Sequence, residues 1–173
     1  MPDRPTPEAL RRVALLSSLS DAELSALAAS AVKQEVAAQQ PLFREGDPGD
    51  GLLLLLSGSA EVVKRDPTGK HQILAVLTAP AVLGEMAALE PGGKRTASAL
   101  AVTPVELAMV SGAELRSKVA AGETGALKLA AGIARILARR LNDVNARLVQ
   151  LLTAAPHIEQ LVEFQRVLDR WGD

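Results

Sequence analysis

Apolar and polar positions divide the chain into three regions, the first of which has helical spacing. Thr6, Pro7 and Glu8 are typical of a helix start, with a capping hydroxyl and then proline at the first helical position. Ser20, with Glu23 three residues later, makes a capping box before the apolar-periodic segment DAELSALAAS. The pattern predicts two short helices within about the first 32 residues, and we assign residues 1–40 to an N-terminal helical segment.

From Pro41 the spacing changes to short apolar runs separated by turn residues. The turn cluster REGDPGDG precedes the run GLLLLLSG, and the hairpin loop 66–69, DPTG, separates two further strand-like stretches. The dipeptide Thr103-Pro104 divides ASALAVTPVELAMV into two more. Several short strands at this spacing predict an antiparallel sandwich or barrel over residues 41–112.

Helical spacing returns over residues 113–155. Eight positions that alternate spacings of four and three are all apolar, namely 130, 134, 137, 141, 144, 148, 151 and 155. Such a seam is typical of a coiled coil, so we predict a homodimer through the helix 130–155. Packing of this helix on its own domain is the alternative. Pro156 ends the helix, and a short amphipathic tail occupies residues 156–173.

An alanine-rich stretch, VLGEMAALEPGGKRTASA at 82–99, carries an acid and a base among small residues. Glu85 follows a glycine, and Arg95 lies ten positions later. The segment GEMA is typical of a first helical turn, whose free N–H groups favour an anion, and Arg95 would add a guanidinium fork to that anion. Glu85 would accept a hydrogen bond from a sugar hydroxyl. Because buried charges are costly unless paired, an ion pair between the two is one alternative, and exposure of both on a loop is another.

These features together resemble the cyclic nucleotide-binding domains, the family of the bacterial catabolite activator protein and of protein kinase A regulatory subunits. The shared motifs are Gly84-Glu85, the small Ala87 and Arg95-Thr96-Ala97, within a phosphate-binding cassette at 82–98. The stretch FREGDPGDGLLLLLSGSAEVV is similar to that family's early strands. The resemblance implies an α+β fold, an antiparallel jelly-roll-like β-roll with N-terminal helices and a long C-terminal helix.

The resemblance also implies which residues bind the ligand. Glu85 would bind the ribose 2′-OH and Arg95 the cyclic phosphate, while Asn145, or Asn142 before it, would hydrogen-bond the base from the long helix. The residues assigned to the cassette are Gly84, Glu85, Met86, Ala87, Arg95, Thr96 and Ala97. Those assigned to an apolar pocket for the sugar and base are Val62, Leu74, Ala75 and Leu83.

Composition changes this interpretation mainly by exclusion. The 173 residues are 48% apolar and carry a formal net charge of -1, so bulk charge does not indicate non-specific nucleic-acid binding. The chain has no cysteine, and its two histidines, His71 and His157, lie far apart with no clustered carboxylates, so we expect no metal site and no cofactor. No Ser/His/Asp set or exposed carboxylate pair indicates catalysis, so we expect no enzyme activity.

The remaining expectations concern partners and location. The stretch 157–173 after Pro156 is too short for a helix-turn-helix domain, so we expect no contact with DNA. Five consecutive leucines fall far short of the ~20 residues of a membrane span, and no signal-peptide core opens the chain, so we expect a cytoplasmic protein without a membrane partner.

Our interpretation from sequence is a cyclic nucleotide sensor, with cyclic AMP slightly favoured over cyclic GMP. It would act through rearrangement of the oligomer or through an unidentified effector protein. The alternatives are a ligand-free structural dimerisation module and a fragment of a transcription regulator that lacks its DNA-binding domain.

Overall fold

The computed structural model describes residues 3–49 and 51–154, with the backbone alone for 151–154. The predicted tail at 156–173, His157 and the last seam position therefore lie outside the described residues. The chain divides into two units, the first ending at Ala134 and the second beginning at Arg135.

Helices flank and interrupt a strand-rich region in the first unit. The helices are α1 (Pro7–Arg11), a 3-10 helix (Ala14–Leu16), α2 (Asp21–Ser30), α3 (Glu85–Leu89), α4 (Gly112–Ala120) and α5 (Thr124–Ala154), whose last part belongs to the second unit. The strands are β1 (Val32–Val36), β2 (Pro41–Phe43), β3 (Gly51–Ser57), β4 (Ser59–Arg65), β5 (His71–Thr78), β6 (Ala81–Leu83), β7 (Ser98–Ala101) and β8 (Val105–Ser111).

The strands form two four-stranded antiparallel sheets. One sheet has the order β1-β8-β3-β6 and the other β2-β7-β4-β5. Between them lies an apolar core formed by Leu53, Leu55, Leu83, Ala99, Ala101, Val105 and Leu107. This architecture, with helices before the sheets and the long α5 after them, confirms the predicted antiparallel β-roll.

Both predicted helix starts are confirmed by side-chain caps. The Ala9 N–H donates to Thr6 Oγ1 at 3.2 Å, with Pro7 at the first helical position. At the start of α2, the Ser20 N–H donates to Glu23 Oε2 at 2.7 Å and the Glu23 N–H donates to Ser20 Oγ at 3.3 Å. Each cap satisfies a first-turn donor that has no partner within its helix, which fixes where the helix begins.

Strand β1 corrects the predicted helical segment at 1–40, because Val32–Val36 is extended and paired with β8. Gln34 lies opposite Leu107, and the Lys33 ammonium lies 3.3 Å from the carboxylate of Glu106 on the neighbouring strand. The sequence VKQEV has no clear alternation of its own, so the strand geometry comes from pairing with the distant strand β8.

Strand β3, GLLLLLS, is buried on both faces, which explains its continuous run of leucines. Leu53 and Leu55 point into the core between the sheets. Successive side chains of a strand alternate between faces, so Leu52, Leu54 and Leu56 point the other way, and α1, α3 and α4 all contact β3. Helix α3, which lies within the predicted cassette, thus packs against a strand that is buried on both faces.

The hairpin between β4 and β5 is confirmed at 66–69. Asp66 Oδ1 accepts hydrogen bonds from the Thr68 hydroxyl and from the N–H groups of Thr68 and Lys70. These bonds and that from Gln72 stabilise the charged carboxylate, with Thr68 the largest contributor, and they lower the pKa of Asp66 to about 2.

The glycine between β3 and β4 is expected to be required for stability. Gly58 has φ +80°, and a Cβ there would lie 2.2 Å from the carbonyl oxygen of Pro104. Gly58→Ala therefore combines left-handed strain with a backbone clash and should lower the free energy of unfolding by about 2–5 kcal/mol. Urea denaturation measures this change.

The matched control is Gly69→Ala in the hairpin. Gly69 has φ +84°, but nothing lies within 4 Å of the place that a Cβ would occupy, so only the strain of about 1 kcal/mol applies. Equal losses in the two variants would mean that the Pro104 segment moves to accommodate the methyl group.

Candidate functional site

The predicted cassette begins where β6 ends at a glycine. Val82 and Leu83 are buried, and Gly84 follows with φ +72°, a left-handed conformation that side chains rarely adopt. This turn directs the chain into α3, so Glu85 becomes the first helical residue, as the sequence predicted. The first-turn N–H groups of an α-helix have no partner within the helix.

Among the described residues, the buried charged side chains are Glu85 and Arg95. Their exposed fractions are 6% and 7%, which places both inside the protein rather than at its surface. The predicted alternative of an exposed pair is therefore wrong. Moving two charges out of water costs several kcal/mol for each ion. The fold can bury both only if interactions with the surrounding groups offset this cost.

Gly84 lies directly against the guanidinium of Arg95. A Cβ on Gly84 would lie 2.0 Å from Arg95 Nη1 and 3.1 Å from Arg95 Cζ. The absence of a side chain therefore makes room for the cation next to the start of α3. The cation and the first helical turn thus lie on the same side of the cassette, an arrangement that favours an anion.

The backbone of Arg95 is fixed by the turn between β2 and β3. The Arg95 N–H donates to the Asp47 carbonyl oxygen at 2.9 Å, and the Gly46 N–H donates to the Arg95 carbonyl oxygen at 2.8 Å. The same turn contacts α3, since a Cβ on Gly49 would lie 2.1 Å from the Ala87 Cβ. Small residues at 49 and 87 let the turn and the helix approach closely enough to form one unit.

Sequence reasoning missed a contact between Phe43 and Arg95. The Phe43 ring centroid lies 4.4 Å from Arg95 Cζ, within the range of a cation–π interaction. Phe43 ends β2 and pairs with Ala99 of β7, which follows Arg95 in the chain. The available signal was an aromatic residue at the end of an apolar run, just before the turn that contacts the cassette.

The remaining cassette residues divide between the surface and the core. Met86 and Thr96 are exposed, and the Thr96 hydroxyl lies 4.0 Å from Met86 Sδ. Ala87 and Ala97 are buried beside them. Met86 and Thr96 are thus open to solvent at the edge of the cassette, while Ala87 and Ala97 lie beneath the surface.

The predicted apolar lining comes from β4, β5 and β6. Leu83 is buried in the core, Val62 packs against that core, and Ala75 lies directly opposite Val62 across the strand pair. Leu74 is the extra residue at a β-bulge, and 59% of its surface is exposed. Ala75 is exposed as well, so both predicted lining residues of β5 lie at the surface, whereas Val62 is partly buried and Leu83 is buried.

Comparison with known proteins decides the family. The family model of the cyclic nucleotide-binding domain matches residues 33–121. These residues include α3, the whole cassette and both sheets, apart from the first residue of β1. The chain belongs to the cyclic nucleotide-binding domain family.

Individual members of the family show the same relationship. The chain is 28% identical over 145 residues to a CRP-like cAMP-activated global transcriptional regulator from Mycobacterium tuberculosis, covering 84% of this chain and 62% of that protein. The chain thus spans less than two thirds of that relative's length.

Solved structures of the family have the same fold. A cyclic nucleotide-binding domain from Methylobacillus flagellatus superposes with a TM-score of 0.71 at 29% identity, covering 83% of this chain and 80% of that one. The catabolite activator protein from Thermus thermophilus superposes with a TM-score of 0.70 at 28% identity, covering 79% and 62%. Both likenesses extend beyond the cassette to most of the cyclic nucleotide-binding domain fold.

Asn145, the residue predicted to meet the base, is in the second unit. It lies on the exposed part of α5, as does Asn142. The binding roles of Asn145, the cassette residues and the apolar lining stay predictions.

The described residues contain no cluster of three or more His, Asp or Glu side chains that could hold a metal ion. Across the same residues, no helix has the length and apolar character needed to cross a membrane.

Proposed function

We propose that this domain is a cyclic nucleotide sensor that binds a 3′,5′-cyclic mononucleotide at the cassette. The observation that carries the proposal is the burial of both Glu85 and Arg95 within one short segment, whose other charged residues, Glu90 and Lys94, are exposed. Membership of the cyclic nucleotide-binding family supports the same conclusion. A purely structural ion pair between the two charges is the alternative.

The proposed chemistry assigns one function to each buried charge. Arg95 binds the cyclic phosphate through its planar guanidinium, whose paired N–H donors match two phosphate oxygens. Glu85 accepts a hydrogen bond from the ribose 2′-OH, which a deoxyribose ligand lacks. The first-turn N–H groups of α3 add donors to the phosphate, and Val62, Ala75 and Leu83 contact the apolar parts of the ligand.

For the base we propose cyclic AMP in preference to cyclic GMP. The support comes from the similarity to the cAMP-activated regulator of Mycobacterium tuberculosis. We also propose that the domain is not an enzyme, so prolonged incubation should leave cyclic AMP intact by chromatography. Conversion to AMP would contradict this part of the proposal.

Isothermal titration calorimetry with cyclic AMP, cyclic GMP and 5′-AMP tests the binding proposal. We expect saturable binding of a cyclic nucleotide and weaker binding of 5′-AMP, because the open phosphate carries a second charge and a different shape. A double variant, Glu85→Ala with Arg95→Ala, is the control for heats unrelated to the cassette. No binding of cyclic AMP or cyclic GMP at high micromolar concentration would favour the structural dimerisation module instead.

The proposed output is a change in a dimer formed by α5. The seam residues Leu141 and Val144 are exposed, Val144 by 62%, so an apolar stripe on this part of the helix is open to a second copy. A ligand shifts such an assembly only by its difference in affinity for the two arrangements, typically about 1–3 kcal/mol. An effector protein that reads the same stripe is the other proposed route.

Val144→Asp is expected to disrupt this dimer, because it would place like charges opposite each other in an apolar seam. Sedimentation velocity should show the wild type as a dimer and the variant as a monomer. Ala146→Asp is the matched control, since it adds the same charge at an exposed position on the far side of the helix from the seam. A Val144→Asp variant that stays dimeric, or a wild type that is monomeric with and without nucleotide, would contradict the proposed seam.

A further inference from the structure

Among the described residues, Phe43 is the only Phe, Tyr or Trp, and its ring lies against the guanidinium of Arg95. The whole sequence has two phenylalanines, one tryptophan and no tyrosine, and the other two aromatic residues, Phe164 and Trp171, fall outside the described residues. The centroid of the Phe43 ring is 4.4 Å from Arg95 Cζ. In a chain so poor in aromatic residues, this contact is a specific feature of the cassette.

We propose that Phe43 is a positioning residue that holds the Arg95 guanidinium ready for the anion. The inference rests on the proposed function and deepens it, because it assigns part of the phosphate affinity to a residue outside the cassette. The negative face of an aromatic ring attracts a cation most strongly where water is excluded, and Arg95 is 7% exposed. A contact with a ring uses the face of the guanidinium, whereas phosphate oxygens would bind at its in-plane N–H donors.

The position of the ring is itself fixed by the fold. Phe43 is partly buried and packs against the core between the sheets, and its backbone is paired with Ala99. The Arg95 backbone is held by hydrogen bonds to Gly46 and Asp47, only a few residues after Phe43. The ring and the backbone of Arg95 are therefore held by the same short turn, so the contact needs little ordering when a ligand binds.

Gly84 limits the guanidinium from a second direction. A Cβ at this position would lie 2.0 Å from Arg95 Nη1, so the cation is in contact with the start of α3 as well as with the ring. An aliphatic residue at 43 would preserve apolar packing but supply no electrostatic attraction to hold the cation in this place. Phe43 thus contributes orientation in addition to burial.

Fluorination of the ring separates electrostatics from packing. Replacing Phe43 with 4-fluoro-, 3,5-difluoro- and 3,4,5-trifluorophenylalanine progressively weakens the negative ring face with little change of shape. We expect the Kd for cyclic AMP to rise with each fluorine, by about threefold for the trifluoro ring, while Phe43→Leu raises it about tenfold. Phe43→Tyr keeps the ring face and should bind within about twofold of the wild type.

Leu42→Ala is the matched control on the same strand. Leu42 also packs against the core, so this variant should lower the thermal midpoint but leave the Kd for cyclic AMP within about twofold. A trifluoro variant that folds normally and binds like the wild type would overturn the role of Phe43 while leaving the proposed function standing. Failure of the wild type to bind cyclic AMP or cyclic GMP would instead overturn the proposed function, and this inference with it.

Discussion

Arg95→Ala is expected to weaken the binding of cyclic AMP about a hundredfold. A hydrogen bond to a charged group contributes about 1.5–3 kcal/mol, and the guanidinium can form two to a phosphate, so we expect a loss of about 3 kcal/mol. At 1.4 kcal/mol for each tenfold, this corresponds to roughly two orders of magnitude in Kd. Calorimetry on the purified variant measures the change directly.

Glu85→Ala should weaken binding less than Arg95→Ala. The variant loses the acceptor for the ribose 2′-OH, but it also removes a negative charge from the neighbourhood of the phosphate. The second effect offsets part of the first. A glutamate variant with the larger loss would mean that recognition of the sugar, rather than of the anion, dominates the binding free energy.

Two controls separate the specific role of Arg95 from its charge. Lys94→Ala removes the same charge one position earlier, from a side chain that solvent screens, and should change the Kd by less than about threefold. Arg95→Lys keeps the charge but loses the planar fork and should fall between the wild type and Arg95→Ala. Wild-type affinity in Arg95→Ala would show that the cassette assignment is wrong.

Local signals made much of the fold predictable from the sequence. The hydroxyl caps at Thr6 and Ser20 act within three residues of the helix that they begin, and the hairpin at 66–69 is held by the side chain of Asp66. Gly84 likewise marks the start of α3. Each of these features depends on a few neighbouring residues, so a single sequence contains the information needed.

Features that depend on pairing between distant segments were not predicted. Strand β1 is extended because it pairs with β8, and its own five residues give no clear strand pattern. The Phe43 ring reaches Arg95 only because β2 pairs with β7, across more than 50 residues of chain. The β-bulge at Leu74 was not predicted either, because it arises from the register between β4 and β5.

The candidate site thus combines a sequence motif, Gly84-Glu85 followed by Arg95, with a contact between distant segments, that of Phe43 with Arg95. The order Gly84-Glu85 followed by Arg95 marked these two charges as the candidate site, through the resemblance to the cyclic nucleotide-binding domains. The surroundings of Arg95 were not predicted, because the turn at 44–49 holds its backbone and the ring at 43 contacts its guanidinium across distant segments of the chain. The residues proposed to contact a ligand were therefore easier to find from the sequence than the residue proposed to position one of them.

Gly84→Ala is expected to reduce the affinity for cyclic AMP at least tenfold, although residue 84 offers the ligand no side chain. The added Cβ would lie 2.0 Å from Arg95 Nη1 and 2.9 Å from the Gly51 carbonyl oxygen. The guanidinium end is flexible and can move away, whereas the backbone oxygen of the central strand β3 cannot. The displaced cation would lose its alignment with the phosphate, and a small misplacement of a binding group has a large effect.

The matched control for this variant lies eight residues later in the same cassette. Gly92 has φ +70°, nearly the same as the +72° of Gly84, but nothing lies within 4 Å of a Cβ at that position. Both substitutions therefore carry a similar backbone strain of about 1 kcal/mol, and only Gly84→Ala displaces Arg95. We expect similar losses of stability by urea denaturation, apart from the contribution of the Gly51 contact, but a loss of affinity in Gly84→Ala alone. Equal affinities in the two variants would mean that the guanidinium binds the phosphate from a position that does not depend on Gly84.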